Sequence, residues 1–331
     1  MRQGGYYTEK QLQKFWDHAS LNVPVVIVGG GRWARVWAEV IVAAQGDSKN
    51  VSMVSRQHSF EVQAWARERV ECKGIKVYKN LREIDFSAKK NAFAIVSGRP
   101  RHHCRDAIDA MKLGLDVLLE KPVAHILEDV KSIVAFSALN HRSLAVVNEF
   151  SFLPELNFFS EMISKNKAVI KSITIDWFDV PNEMRHGATK RSHAEVSYLQ
   201  DIITHFLSIL SVFVPISELK VQAMPRSLSV GAISFRDDLF RLFLLRYNNA
   251  DCKRKRAVII ETDKSKIKID FSEKQARVSV QGGNMELENK NNFFDSTLRL
   301  QLGAFLHNRN YKSIQNFEIV NYHMRVFDRF I

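Results

Sequence analysis

VPVVIVGGGRWARVWAEVIVAAQ, residues 23–45, is a strand, a turn and a helix in one run. The stretch 23–28 is apolar and rich in β-branched residues, the texture of a buried strand. Gly29, Gly30 and Gly31 then turn the chain. Beyond them Ala34, Trp37, Ala38, Ile41 and Val42 recur at three- and four-residue steps, which predicts a helix over 32–45. Gly29-x-Gly31-x-x-Ala34 has a physical logic at such a junction. The first glycine permits the tight turn, the second lets the backbone approach a pyrophosphate, and a small third residue lets helix pack on strand. The helix N-terminus offers free N–H groups and the positive end of its dipole to phosphates. A bound dinucleotide is therefore expected here; the plain alternative is a loop whose glycines only make the turn.

Working outward, a short leading helix is expected at 9–19 and strands at 51–55, 92–96, 116–120 and 143–150. Helices are expected between them, and RHHCRDAIDAMKLG (101–114) ends at Gly114, a good C-terminal cap. Strict alternation of strand and helix predicts a parallel sheet with helices on both faces. Past residue 150 the texture changes. A helix (154–166), a strand (169–180) and a long helix (193–213) lead into LKVQAM, LSVGAISF, LFRLFLLRY, RAVIIET, KIKIDF and ARVSVQ, a series that should pair largely antiparallel. Helices near 295–308 and 317–330 follow. The predicted organisation is an N-terminal extension (1–22), a Rossmann domain (23–150) and a C-terminal α+β domain (151–331) with an open, mainly antiparallel sheet.

With 331 residues, two domains of ordinary size are expected, and 22 Phe and 5 Trp are enough to fill their cores. Only 14 Gly and 7 Pro exclude collagen-like and low-complexity classes. No stretch reaches the apolar length of a membrane span, and the polar start lacks the apolar middle of a signal peptide. Cys72, Cys104 and Cys252 are far apart with no CxxC spacing, which argues against a disulfide framework or a metal site and fits a cytoplasmic protein. The formal charge of +12 suits either nucleic acid or an anionic small molecule. The one dense basic run, Lys253-Arg254-Lys255-Arg256, lies between two strand-like runs and reads as a solvated hairpin turn, so nucleic acid is not the expected partner.

The end of the second strand should read the adenosine ribose. NAD-selective sites place a carboxylate there, whereas NADP sites use basic and hydroxyl groups. Here the strand ends Val54-Ser55-Arg56-Gln57, with no acid before Glu61. A guanidinium can pair with a phosphate through two hydrogen bonds and stack on adenine. NADP(H) is therefore favoured over NAD(H), the alternative being an exposed arginine after a strand.

Several motifs together resemble one family. They are the glycine turn, Pro100-Arg101-His102-His103 after the strand AFAIV, Val117-Leu118-Leu119-Glu120-Lys121-Pro122-Val123-Ala124, and Asp201-Ile202-Ile203-Thr204-His205. Their order and spacing resemble the glucose-fructose oxidoreductase, inositol dehydrogenase and rhizopine catabolism (Gfo/Idh/MocA) oxidoreductases over residues 22–331, Glu-Lys-Pro being the most specific element. The resemblance implies the two-domain architecture already read from the texture. It places Lys121 and His205 in the chemistry, with Asp201 as a partner of His205 or of the substrate. The expected cofactor set is Gly29, Gly31, Arg32, Trp33, Ala34, Ser55, Arg56, Ser97, Gly98, His103, Glu120 and Lys121.

The residues support that chemistry independently. Asp201 and His205 are four apart, so a helix sets them on one face. Imidazole exchanges protons near neutral pH, as oxidation of an alcohol or its reverse requires. Lys121 can stabilise a developing alkoxide. The plain alternatives are a core histidine and a surface lysine. Asn148-Glu149-Phe150-Ser151-Phe152 departs from the basic, Tyr- or Asn-rich stretch of many sugar-acting members, and Glu149 could bind a hydroxyl or an amine or sit in a wall. Arg185, His186, Lys190, Arg191 and His193 would suit an anionic or sugar-like substrate if their loop rims the site. The expected activity is hydride transfer to or from a carbonyl, an alcohol or an imine of a small polar molecule. A non-catalytic NAD(P)-binding regulator of the same fold is the alternative. The strands of 215–281 leave one sheet face to cover, so a homodimer or homotetramer is expected, with light scattering at micromolar concentration giving a mass above that of one chain.

Overall fold

The structure, a computed structural model, describes residues 6–20, 22–86, 91–124, 126–180, 184–185, 188–189, 196–223, 227, 229–249, 253–273, 276–281, 283–285, 293–308, 314–315, 320, 322 and 324. Two compact units emerge. One is Leu12–Asn148 with Leu298–Phe317, and the other is built mainly on Glu149–Thr297.

The first part of the chain runs α1 (Glu9–Ala19), β1 (Val25–Val28), α2 (Arg32–Gln45), β2 (Val51–Val54), α3 (Ser59–Glu68), β3 (Lys76–Tyr78), β4 (Phe93–Val96), α4 (Pro100–Lys112), β5 (Asp116–Leu119), α5 (Leu127–Leu139) and β6 (Leu144–Val146). All strand pairs in this sheet are parallel, and β1 lies between β2 and β4. The order 3-2-1-4-5-6 reverses between β1 and β4, the switch point at which such sheets bind ligands. All four residues of β1, β2 and β4 are buried, as continuous apolar strands covered on both faces must be. Helix α2 buries the predicted stripe, including Ala34, Trp37, Ala38 and Ile41, and ends at Gly46, whose φ of 72° is the left-handed cap glycine favours.

The second unit holds α6 (Pro154–Lys165), β7 (Ile170–Phe178), β8 (Met184–Arg185), β9 (Ala188–Thr189), α7 (Tyr198–Ser211), β10 (Lys220–Ala223), β11 (Val230–Arg236), β12 (Leu242–Asn248), β13 (Lys255–Thr262), β14 (Lys266–Asp270), β15 (Arg277–Val280) and β16 (Gly283–Met285). Its eight-stranded sheet has the order β10-β11-β12-β7-β13-β14-β15-β16 and is antiparallel except where β7 runs parallel to β12. One sheet face, with Ile173, Ile175, Trp177, Phe243, Leu245, Val258 and Ile260, shares a core with Leu199, Ile202, Phe206 and Leu210 of α7. Helix α7 begins on a capping box of Ser197 and Gln200.

Helix α8 (Phe293–Asn308) and β17 (Ile314–Gln315) follow, and β17 adds to the first sheet beside β6. Gln301 of α8 closes the edge of β6, accepting from the Asn148 amide at 3.0 Å and donating to the Val146 carbonyl at 2.9 Å.

The basic run does not form the expected hairpin. Strand β7 separates β12 from β13, so the two flanking strands never pair. Lys255 and Arg256 open β13 itself, and Arg256 is buried, its guanidinium 2.6 Å from Asp179. Two short strands, β3 and β17, lack the apolar run by which a strand is recognised. Except for Val320, Tyr322 and Met324, the helix expected at 317–330 lies outside the described residues, as do Cys252, His186, Lys190, Arg191 and His193. No helix among the described residues is long and apolar enough to cross a membrane.

Candidate active site

The glycine turn sits at the carboxyl end of β1, against the loop after β4. Gly29 has φ +148°, and a Cβ there would lie 2.6 Å from the Ser97 carbonyl oxygen. Only glycine tolerates both that backbone and that approach. Gly30 is crowded too, though its φ is ordinary: a Cβ there would press on the Ser55 and Val62 side chains. Gly31 differs. Its φ of −75° is ordinary, and a Cβ would meet none of the described residues within 4 Å. As N-cap of α2 it supplies no side chain to the first-turn amides of Arg32, Trp33 and Ala34. Open space therefore lies where a pyrophosphate would approach the helix end. Beside the turn, Ser97 is buried and its Oγ has no hydrogen-bond partner among the described residues. The open helix end at Gly31 and the close-packed turn before it fit the phosphates of a dinucleotide.

The other predicted cofactor residues fall into two groups. Glu120 and His103 brace the loops. Trp37 Nε1 donates to Glu120 Oε1 at 2.7 Å, and the Lys121 amide donates to Glu120 Oε2 at 3.1 Å, tying α2 to the end of β5. His103 is buried, with Nδ1 2.8 Å from the Pro122 carbonyl oxygen and Nε2 3.2 Å from that of Gly98. It joins the loop after β5, which carries Lys121, to the loop after β4. Ser55 and Arg56 follow β2. Arg56 lies against a carboxylate from α4: its Nη2 is 2.8 Å from Asp106 Oδ1 and its Nη1 3.3 Å from Oδ2. This hydrogen-bonded pairing raises the Arg56 pKa above its ordinary value. The acid absent from the end of β2 in sequence is thus supplied in space.

In the second unit, α7 carries both Asp201 and His205. His205 Nδ1 lies 3.4 Å from Oε1 of Glu149, and the two side chains are only 12% and 4% exposed. The His205 ring stacks on Trp177 with centroids 5.1 Å apart and meets Phe150 edge-on at 4.9 Å. The Arg256 guanidinium lies over the same Trp177 ring, 4.3 Å from its centroid. Aromatic walls fix the imidazole plane, and the Glu149 carboxyl faces Nδ1. With Glu149 ionised and accepting from Nδ1, a neutral His205 would carry its lone pair on Nε2. This partnership was not legible in sequence, because Glu149 and His205 belong to different elements and share no motif.

Residues 23–148 match the Gfo/Idh/MocA model, described as an oxidoreductase family with an NAD-binding Rossmann fold. This domain belongs to that family. The family is one of NAD(P)-dependent oxidoreductases, and its glycine turn, His103 and Glu120-Lys121-Pro122 all fall within the matched residues. None of the curated proteins compared with the chain matches it in sequence. Solved structures match in fold. KijD10, a 3-ketoreductase from Actinomadura kijaniata in complex with NADP and TDP-benzene, has a TM-score of 0.72 at 13% identity, covering 92% of this chain and 96% of its own. D-galactose-1-dehydrogenase from Rhizobium etli has a TM-score of 0.69 at 17% identity, covering 93% and 96%. UDP-N-acetylglucosamine 3-dehydrogenase GnnA from Acidithiobacillus ferrooxidans has a TM-score of 0.69 at 13% identity, with the same coverage. The family domain and the mostly antiparallel sheet of the second unit together form the architecture expected from the sequence.

Proposed function

We propose that the protein is an NADP(H)-dependent oxidoreductase that moves a hydride to or from a carbonyl or alcohol carbon of a small polar substrate. The observation that carries this reading is the His205–Glu149 pair, in a chain whose first domain belongs to an NAD(P)-dependent oxidoreductase family. The nicotinamide, when bound, supplies or accepts the hydride. Neutral His205 takes the hydroxyl proton at Nε2 in the oxidising direction. The resulting imidazolium is stabilised by the Glu149 carboxylate, and in the reducing direction it returns the proton. Lys121 sets a positive charge against the oxygen that becomes alkoxide-like. Asp201, one turn before His205, is assigned to the substrate.

Nucleotide-linked sugars are the first substrates to try. Two proteins of similar fold are a 3-ketoreductase in complex with TDP-benzene and a UDP-N-acetylglucosamine 3-dehydrogenase, and the basic residues of 185–193 suit an anionic substrate. The test follows nicotinamide absorbance with NADPH or NADP against sugars and nucleotide-linked sugars. Turnover is the expected result. Tight dinucleotide binding with no turnover across such a panel would favour the non-catalytic regulator.

The cofactor preference has its own test. Arg56 stands where a ribose 2′-phosphate would be read, so NADPH should bind more tightly than NADH. Arg56→Ala should weaken NADPH selectively by about 1–3 kcal/mol, the worth of a charge-assisted hydrogen bond. Fluorescence titration of both cofactors measures this, and equal affinities in the unmutated protein would refute the preference.

A further inference from the structure

Arg56 does not face the dinucleotide site alone. Asp106, on the second turn of α4, is 3% exposed at its side chain, whereas Arg56 is 39% exposed. The carboxylate is therefore buried beneath the guanidinium. It accepts from both terminal nitrogens of Arg56, and Arg105 Nε approaches its Oδ1 at 3.3 Å. Asp106 also lies next to the loop after β4, because a Cβ on Gly98 would be 3.7 Å from its Oδ2. A negative charge thus sits at the same end of the sheet as the ribose-reading residues, delivered by a helix 50 residues further along the chain.

We propose that Asp106 is a specificity-determining residue for the dinucleotide. Acting as a counter-charge to Arg56, it restrains the preference for a 2′-phosphate and leaves the site able to accept a 2′-hydroxyl. This rests on the reading of Arg56 as the residue that meets the phosphate. Two opposing effects follow from the pairing. The carboxylate holds the guanidinium still, which spares some ordering on binding. It also cancels much of a positive charge that would attract a group bearing nearly two negative charges, while a hydroxyl is barely affected. At a separation of several ångströms and an effective dielectric near 20, the charge effect is the larger. Two of the five guanidinium N–H donors face Asp106, and the remaining three are enough to reach a phosphate or a hydroxyl.

Asp106→Asn separates charge from position, because the amide oxygen still accepts from Arg56. The ratio of NADH to NADPH dissociation constants, measured by fluorescence titration at fixed ionic strength, should rise by about three- to tenfold. General damage to the domain would weaken both cofactors together and leave the ratio where it was. An unchanged ratio in a folded Asp106→Asn protein, or a fall caused by selective loss of NADPH, overturns the proposal. Should that variant not fold by circular dichroism, Asp106→Ser removes the same charge with a smaller side chain and carries the same expectation. Arg56→Ala tells the two failures apart. If it leaves the ratio unchanged, the reading of Arg56 itself is wrong; if it lowers the ratio and Asp106→Asn does not raise it, only the role of Asp106 fails.

Discussion

His205→Ala is expected to lower turnover by about 10²–10⁴-fold while leaving dinucleotide affinity within a factor of about two. The imidazole is the group assigned to proton exchange, and its surroundings are built to hold it in one state. Glu149 faces Nδ1 at 3.4 Å, and Trp177 and Phe150 fix the ring plane. His205 belongs to the unit that does not carry the glycine turn. Lys121→Ala should cost a comparable factor, because it removes the charge proposed to face the reacting oxygen. Steady-state kinetics on a turned-over substrate, paired with cofactor titration of the same variants, measures both effects. Wild-type turnover in both variants would sink the catalytic assignment, and a Lys121→Ala variant with unchanged kcat at saturating cofactor but weakened cofactor affinity would assign Lys121 to the dinucleotide alone.

Gly29 and Gly31, two residues apart, should respond to alanine in different ways. At Gly29 the backbone has φ +148° and a Cβ would press on the Ser97 carbonyl, so Gly29→Ala combines backbone strain with overpacking. It is expected to destabilise the protein by about 2–5 kcal/mol, read by chemical denaturation. At Gly31 the backbone is ordinary and the space beside it open, so the entropy gained by Gly31→Ala and the poorer N-cap that alanine makes should leave stability within about 1 kcal/mol of the unmutated protein. Its methyl group would instead fill the volume where a pyrophosphate meets α2. Dinucleotide affinity should fall by about tenfold or more, roughly 1.4 kcal/mol. Equal binding by Gly31→Ala and the unmutated protein would mean that the phosphates lie elsewhere.

Much of the fold was legible because its signals are local. A buried parallel strand declares itself in four to six apolar residues, and an amphipathic helix in the three- and four-residue steps that follow. The glycine turn joins them within one short run. The antiparallel character of the second sheet came from strands in series with short connections. Its strand order did not, because β7 enters between β12 and β13 from far upstream. That insertion turned the basic run from an expected solvated turn into the start of a strand with Arg256 buried against Asp179. Charge density alone could not reveal this, since burial of an arginine depends on a carboxylate arriving from another strand.

The sequence by itself determined the Rossmann half, the residues of its phosphate turn, the family resemblance and the list of candidate site residues. Tertiary structure alone decided what those residues touch. The glycine pattern singled out Gly29 and Gly31, but the packing crowds Gly30 as well, because the Ser55 and Val62 side chains close on it. His103, read as a cofactor residue, is held between the carbonyls of Gly98 and Pro122. Arg56 appeared without a nearby acid and gains Asp106; His205 appeared beside Asp201 and gains Glu149. The physical reason is the range of each interaction. Turns, caps and hydrophobic periodicity are settled by neighbours along the chain. An ion pair or a close backbone approach exists only after the sheet has formed and brought its strand ends and helices together.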